Sequence, residues 1–150
     1  MILTSEQKLF RDSLESFLSS KLPIAALRSL RDASLSTAYD RGVWQQLAAL
    51  GVSSITVPTA LGGAEFGWLA MGAVAQEMGR RLSPTPLLSS VVLAQGALIN
   101  CANLDQINHY LPALLNGDEV WAVAFEERAH FSPDSVSTAM TPRGLSGGKC

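Results

Sequence analysis

The chain has 150 residues, of which 47% are hydrophobic and 16% are charged, and its formal net charge at pH 7 is -2. This length and composition are typical of a soluble globular protein with one substantial hydrophobic core. The weak acidity, without a basic stripe or a block of like charge, argues against a nucleic-acid-binding protein. The first ten residues, MILTSEQKLF, lack the basic and apolar regions of a secretory signal.

Charged residues are sparse in the middle of the chain. The only ones between Asp40 and Asp105 are Arg41, Glu65, Glu77, Arg80 and Arg81. An ordinary domain carries roughly 25% charged residues, and the deficit indicates a face covered by another domain or by a partner.

Two uncharged stretches, 42–64 and 82–104, are long enough to be tested as membrane spans. Pro58 and the Gly62-Gly63 pair interrupt the first, and Pro84 and Pro86 interrupt the second. Buried helices broken by turns explain both better, so no membrane span is predicted. Cys101 and Cys150 are isolated cysteines, which favours free thiols in a reducing compartment and a cytoplasmic location.

Capping residues predict the first helices. Thr4 and Gln7 form a capping-box pattern before an apolar face, and Pro23 is expected to open a short helix through Leu30. Asp40 is expected to cap a third helix, and Gly51 to end it in the left-handed conformation.

Beyond Gly51 the chain alternates between turns and apolar helices. The sequence predicts a short extended piece over 55–58, a turn at 61–63, a helix over 67–82 and a break at 83–86. A buried helix is expected over 87–99. A last helix is expected to be capped by Asn103 and ended by Asn116-Gly117. The many small residues of the helix over 67–82 suggest burial between neighbours.

The stretch GDEVWAVAFEE, 117–127, changes the periodicity from helical to alternating, which predicts a strand. Further extended runs are expected over 136–141 and 145–150, joined by a turn at 141–144. The predicted fold is mostly α: a helical domain over 1–117, followed by an incomplete antiparallel β domain over 118–150.

Motifs that would carry chemistry are incomplete. GLSGGK at 144–149 is not a phosphate loop, because Arg143 stands where that loop requires glycine and no Ser or Thr follows the lysine. His109 and His130 do not stand at a metal-ligand spacing, and solvated histidines are expected there. Glu126 and Glu127 are adjacent, so on a strand they would face opposite sides and could not act as a carboxylate pair. No catalytic residue and no metal ligand is assigned.

Three stretches in register resemble the acyl-CoA dehydrogenase family. They are WQQLAALG at 44–51 running on to LGG at 61–63, QEMGR at 76–80 running on to SPTP at 83–86, and YLPALLNG at 110–117 followed by WAVAFE at 121–126. In order and spacing they are similar to the N-terminal helical domain of that family, an orthogonal bundle, and to the first strands of its middle β domain. The resemblance implies that a C-terminal helical bundle, carrying the catalytic glutamate or lying near it, is missing from these residues.

The resemblance implies FAD-dependent α,β-dehydrogenation of an acyl-CoA thioester, a flavin-linked electron acceptor and a homo- or hetero-oligomer. It places Ala124, Phe125 and Glu126 beside the flavin, as one edge of its site. Phe125 stands where the family often has a Thr or Ser hydroxyl, and Glu127 replaces the usual proline. The stretch RAHFSPD at 128–134 replaces a Gly-Ser-Asp pattern that contacts substrate. These departures imply a divergent branch, as in bacterial sterol or unusual acyl-CoA breakdown.

Three functions remain open from the sequence. The first is the N-terminal part of an acyl-CoA dehydrogenase-like flavoprotein. The second is a non-catalytic or assembly subunit of a mixed dehydrogenase oligomer, which the lost hydroxyl, proline and Gly-Ser-Asp matches favour. The third is a small helical interaction module that ends at Cys150, against which the half-built sheet argues.

Overall fold

A computed structural model describes residues 2–33, 37–127 and 136–148. Within these ranges the helices are α1 (Ser5–Lys21), α2 (Ile24–Asp32), α3 (Arg41–Ala49), α4 (Gly67–Arg80), α5 (Gly96–Cys101) and α6 (Leu104–Leu115), with a 3-10 turn at Thr59–Leu61 and a π-helical segment at Leu87–Gln95. Strands β1 (Ala139–Thr141) and β2 (Gly144–Ser146) form an antiparallel pair. The predicted fold class, a helical bundle followed by the start of an antiparallel β domain, is confirmed.

The predicted helix starts are confirmed at atomic level. Thr4 Oγ1 accepts from the backbone N–H of Gln7 at 3.2 Å, and Gln7 Oε1 accepts from the N–H of Thr4 at 3.0 Å. Asn103 makes the same reciprocal pair with Gln106 at the start of α6. Asp40 Oδ1 accepts from Val43 N at 2.9 Å. Each bond satisfies a backbone donor that the first helical turn leaves without an intrahelical partner.

The predicted helix ends at glycine are also confirmed. Gly51 follows α3 with a φ of 104°, and Gly117 follows α6 with a φ of 73°. A side chain at Gly117 would meet the Ala48 Cβ at 3.1 Å. The chain therefore leaves the helical domain through a position that requires glycine for both conformation and space.

Two clusters of buried side chains form the core. The larger joins α1, α3, α4 and the π-helical segment, and its fully buried members include Leu14, Leu18, Trp44 and Leu47. The smaller cluster consists of Val57, Leu98, Ile107, Leu111 and Leu114. Ser53 is fully buried and donates its hydroxyl to the carbonyl of Leu115 at 2.5 Å, which ties the loop after α3 to the end of α6.

The apolar run after Pro86 begins as a π-helix, whereas the sequence predicts an ordinary helix over 87–99. Only its last part, α5, is α-helical. Gln95, the last π residue, is 1% exposed, and its Nε2 donates to the carbonyl of Ser53 at 3.0 Å. This buried bond satisfies two polar groups that hydropathy alone does not pair.

The extended piece predicted over 55–58 is wrong, because this part of the chain turns back on itself. Val57 N–H donates to Ser54 O at 3.1 Å, and Glu65 N–H donates to Val57 O at 3.0 Å. The Glu65 carboxylate accepts from the backbone N–H and the hydroxyl of Thr59, which lowers the pKa of Glu65. Ile55 and Val57 are buried by this fold-back rather than by a sheet.

Burial of the small residues of α4 is confirmed only in part. Ala70 and Ala73 are buried against the core, but Gly72, Ala75 and Gly79 lie on the exposed face. Trp68, at the start of that face, is 61% exposed. Hydrophobic periodicity separates these two faces, whereas residue size alone does not.

The strand predicted within 117–127 is not formed, because this segment belongs to no ladder among the described residues. Alternation predicts a strand, yet a strand also needs a neighbour to pair with. The turn at 141–144 is confirmed, because Thr141 pairs with Gly144 across a two-residue loop. Part of the run predicted over 145–150 forms β2, while Lys149, Cys150 and the loop containing His130 lie outside the described residues.

Candidate functional site

Residues 118–127 leave α6 and carry the candidate flavin contacts. Asp118 fixes the start of this segment to α3. Arg41 Nη2 donates to the Asp118 carbonyl at 2.7 Å, and Gln45 Nε2 donates to its carboxylate at 3.1 Å. The departure of the segment from the helical domain is thus set by two side chains of one helix.

Trp121 provides the next point of attachment. Its backbone N–H donates to Ser90 Oγ on the π-helical segment at 3.2 Å. Its ring lies edge-on to Tyr110, with centroids 5.0 Å apart, and its Nε1 donates to the Glu119 carboxylate at 2.7 Å. The segment is therefore anchored to both the π-helical segment and α6 before it leaves the surface.

Beyond Trp121 the segment is exposed from Ala122 to Glu126. All five residues are exposed, and they include the three candidate flavin contacts Ala124, Phe125 and Glu126. Phe125 is 46% exposed. Sequence reasoning identified these residues only through the family resemblance, and in the structure all three belong to the exposed edge Ala122–Glu126.

Glu127 attaches the far end of the segment to the β hairpin. Its carboxylate accepts from the backbone N–H and hydroxyl of Ser137 and from the backbone N–H of Thr138. Sequence reasoning considered Glu127 only as half of a carboxylate pair. Nothing in its spacing pointed to partners ten residues further along the chain.

A groove of about 620 Å³ opens beside the base of this segment. Its apolar wall includes Leu27, Pro84, Pro86 and Val120. Four residues that carry hydroxyl groups also line it: Thr37, Tyr39, Thr85 and Ser89. An apolar concave surface with few polar groups is the usual character of a site for an organic ligand.

The residues present fit one edge of a flavin rather than a whole site. Ala124 and Glu126 are exposed backbone positions that could face a ring edge, and Phe125 offers a partly exposed aromatic surface. A Ser or Thr hydroxyl is lacking between 122 and 126. Among the described residues there is also no cluster of three or more His, Cys, Asp or Glu side chains that could hold a metal ion.

No helix in the described ranges is both long and apolar enough to cross a membrane.

Replacing Ser90 with alanine should loosen the base of the segment. The Trp121 N–H would lose its acceptor, which costs about 1 kcal/mol. We expect the Trp121 amide to exchange hydrogen about fivefold faster, measured by amide exchange on the intact protein. Ser89→Ala is the matched control, because Ser89 donates instead to the Pro86 carbonyl. Equal exchange in the wild type and Ser90→Ala would contradict the anchoring role of Ser90.

Comparison with known proteins gives a consistent family. The family model "Acyl-CoA dehydrogenase, N-terminal domain" matches residues 4–118. Acyl-CoA dehydrogenase FadE27 of Mycobacterium tuberculosis is 35% identical over 106 residues, covering 71% of this chain and 28% of FadE27. FadE28 of the same organism is 30% identical, covering 85% of this chain and 37% of FadE28. The chain thus spans roughly a third of the length of these relatives.

Solved structures agree with the sequence matches. The ChsE4–ChsE5 complex from Mycobacterium tuberculosis has a TM-score of 0.79 and 28% identity, covering 96% of this chain and 38% of that chain. A Tcur3481–Tcur3483 steroid ACAD variant has a TM-score of 0.71 and 26% identity, covering 81% and 33%. Acyl-CoA dehydrogenase complexed with FAD from Bacillus anthracis shares the fold, with a TM-score of 0.72 and 20% identity, covering 97% and 26%. The resemblance seen in the sequence is confirmed, and the chain belongs to the acyl-CoA dehydrogenase family through its N-terminal domain.

Proposed function

We propose that the chain is the N-terminal part of an FAD-dependent, acyl-CoA dehydrogenase-like oxidoreductase. The observation that carries this is the exposed edge Ala122–Glu126, anchored at Trp121 and Glu127 beside an apolar groove. In this proposal residues 1–117 form the helical domain, and 118–150 begin the middle β domain. We place the protein in the cytoplasm.

The role of this chain is to hold one side of a flavin. When bound, FAD would accept the hydride that leaves the β carbon of an acyl-CoA thioester. The backbone N–H groups of Ala124 and Glu126 would donate to the ring edge, and the Phe125 side chain would cover part of it. The described carboxylates are not assigned the α-proton abstraction. Glu127, for example, already accepts three hydrogen bonds from Ser137 and Thr138. The chain is therefore proposed to be catalytically incomplete by itself.

We propose that the groove beside the segment binds the acyl group of the substrate. Its volume of about 620 Å³ and its walls of Leu27, Pro84, Pro86 and Val120 suit a bulky apolar group. One solved relative is described as a steroid ACAD, which supports a sterol-type acyl-CoA over a short straight chain.

We further propose that the protein works in an oligomer and passes electrons to a flavin-linked acceptor. The ChsE4–ChsE5 relative was solved as a complex. On this chain, the exposed face of α4 combines Trp68 with Gly72 and Gly79 and carries little charge. Such a face is suited to burial against another domain or subunit.

A second candidate function is a non-catalytic subunit that retains the fold for assembly. The observation that favours it is the absence of a Ser or Thr hydroxyl along 122–126, where a flavin edge would use one. In that case the same segment would contact a partner chain rather than a cofactor.

Intact mass and flavin content of the gene product, purified natively with any partner, test both candidates. A mass well above 15.9 kDa with bound FAD and acyl-CoA-dependent flavin bleaching would support the dehydrogenase. A longer chain that copurifies with a homologue but carries no flavin would support the assembly subunit. A mass equal to these 150 residues would contradict a self-sufficient enzyme.

A further inference from the structure

The Glu127 carboxylate accepts hydrogen bonds from three donors next to the β hairpin. Oε2 accepts from the backbone N–H and the hydroxyl of Ser137, both at 2.5 Å, and Oε1 accepts from Thr138 N at 2.9 Å. Both oxygens are thus engaged, and these three donors belong to Ser137 and Thr138, the two residues just before β1. Bonds to an ionised acceptor are shorter and stronger than neutral ones.

The hairpin side of this contact is held in place by close packing. Gly147, which follows β2, lies so close to Thr138 that a side chain at Gly147 would overlap the Thr138 hydroxyl and Cα. Thr138 is therefore confined between Gly147 and Glu127. The carboxylate therefore binds a closely packed part of the hairpin.

The opposite end of the exposed edge is held separately. Trp121 is bonded to Ser90 and packs on Tyr110. Ala122 to Glu126 thus span two attachment points, one on the helical domain and one on the hairpin. Moving either point would change the direction in which the backbone donors of the edge project.

We propose that Glu127 is a positioning residue that sets the orientation of the flavin edge through Ser137 and Thr138, an inference that rests on the proposed function. Glu127 acts on Ala124 to Glu126 through the backbone that follows them. It does not touch the ring. Its carboxylate is required because two acceptor oxygens face three donors. A carboxamide would set an NH₂ group against one of them.

The test is Glu127→Gln in the intact protein with its natural partner, if one copurifies. The amides of Ser137 and Thr138 should exchange hydrogen about tenfold faster or more, since bonds to a charged acceptor are lost. Glu126→Gln, one residue away and exposed, is the control for exchange and should leave both amides unchanged. Glu127→Asp keeps the charge on a shorter side chain and should restore part of the protection.

Flavin binding gives the second readout. The dissociation constant for FAD should rise about tenfold in Glu127→Gln, and the visible absorption band of the fully loaded flavin should change shape. Asp105→Asn, on the exposed first turn of α6, is the control and should change neither. A purely structural role for Glu127 would lower the melting temperature but leave the spectrum of the loaded flavin unchanged.

Each other result overturns part of the inference. Unchanged exchange at Ser137 and Thr138 would show that the Glu127 contact does not hold the hairpin. Faster exchange with unchanged FAD affinity and spectrum would show that the contact does not position the edge. A wild-type protein that binds no FAD would overturn the proposed function, while the exchange measurement still decides whether the contact exists.

Discussion

Gly63→Ala is expected to destabilise the intact protein by about 3 kcal/mol or more, among the largest effects of any single methyl group in this chain. A Cβ at Gly63 would overlap the backbone carbonyl of Val57 and its Cβ. Neither can move, because Val57 is fully buried and its carbonyl accepts from Glu65 N–H. The turn after α3 would have to open, and Ile55 would leave the core with it.

Gly96→Ala is the matched control for this change. Gly96, the first residue of α5, has a helical φ of -59°, and a Cβ there would meet no atom within 4 Å. Replacing a helical glycine with alanine should stabilise the protein by about 0.5–1 kcal/mol. Urea unfolding of both variants and the wild type measures the two shifts. Equal midpoints for Gly63→Ala and the wild type would contradict the close approach of the turn to Val57.

Trp44→Ala is expected to cost about 3–5 kcal/mol, because it empties the centre of the larger core cluster. Trp44 is 1% exposed and packs among residues of α1, α3 and α4. Its ring also lies next to Gly117, where the chain leaves α6. The substitution should therefore loosen the base of the candidate flavin edge as well as the helical domain.

Trp44→Phe separates the packing of the indole ring from its polar atom. Trp44 Nε1 is buried without a hydrogen-bond partner among the described residues, so removing it forfeits no bond. We expect Trp44→Phe to cost less than half as much as Trp44→Ala, measured by urea unfolding of the intact protein. Equal losses for the two variants would contradict the view that ring volume, rather than the indole N–H, is the contribution of Trp44.

The capped helix starts, the glycine-ended helices and the family followed from the sequence by itself. Thr4, Asp40 and Asn103 cap helices through bonds that reach only three residues along the chain. Gly51 and Gly117 end helices because a positive φ is a local requirement. Short-range patterns of this kind can be predicted from the sequence. The order and spacing of three longer stretches also identified the acyl-CoA dehydrogenase family.

The tertiary structure alone decided how the candidate site is held. Three hydrogen-bonded contacts join residues ten or more positions apart: Glu127 with Ser137 and Thr138, Trp121 with Ser90, and Gln95 with the carbonyl of Ser53. The tertiary structure also decided that residues 117–127 form no strand within the described part of the chain, and that Leu87–Gln95 is a π-helix. Each of these features depends on which groups the packed core brings within hydrogen-bonding distance. Residue types and their spacing along the chain do not predict those distances.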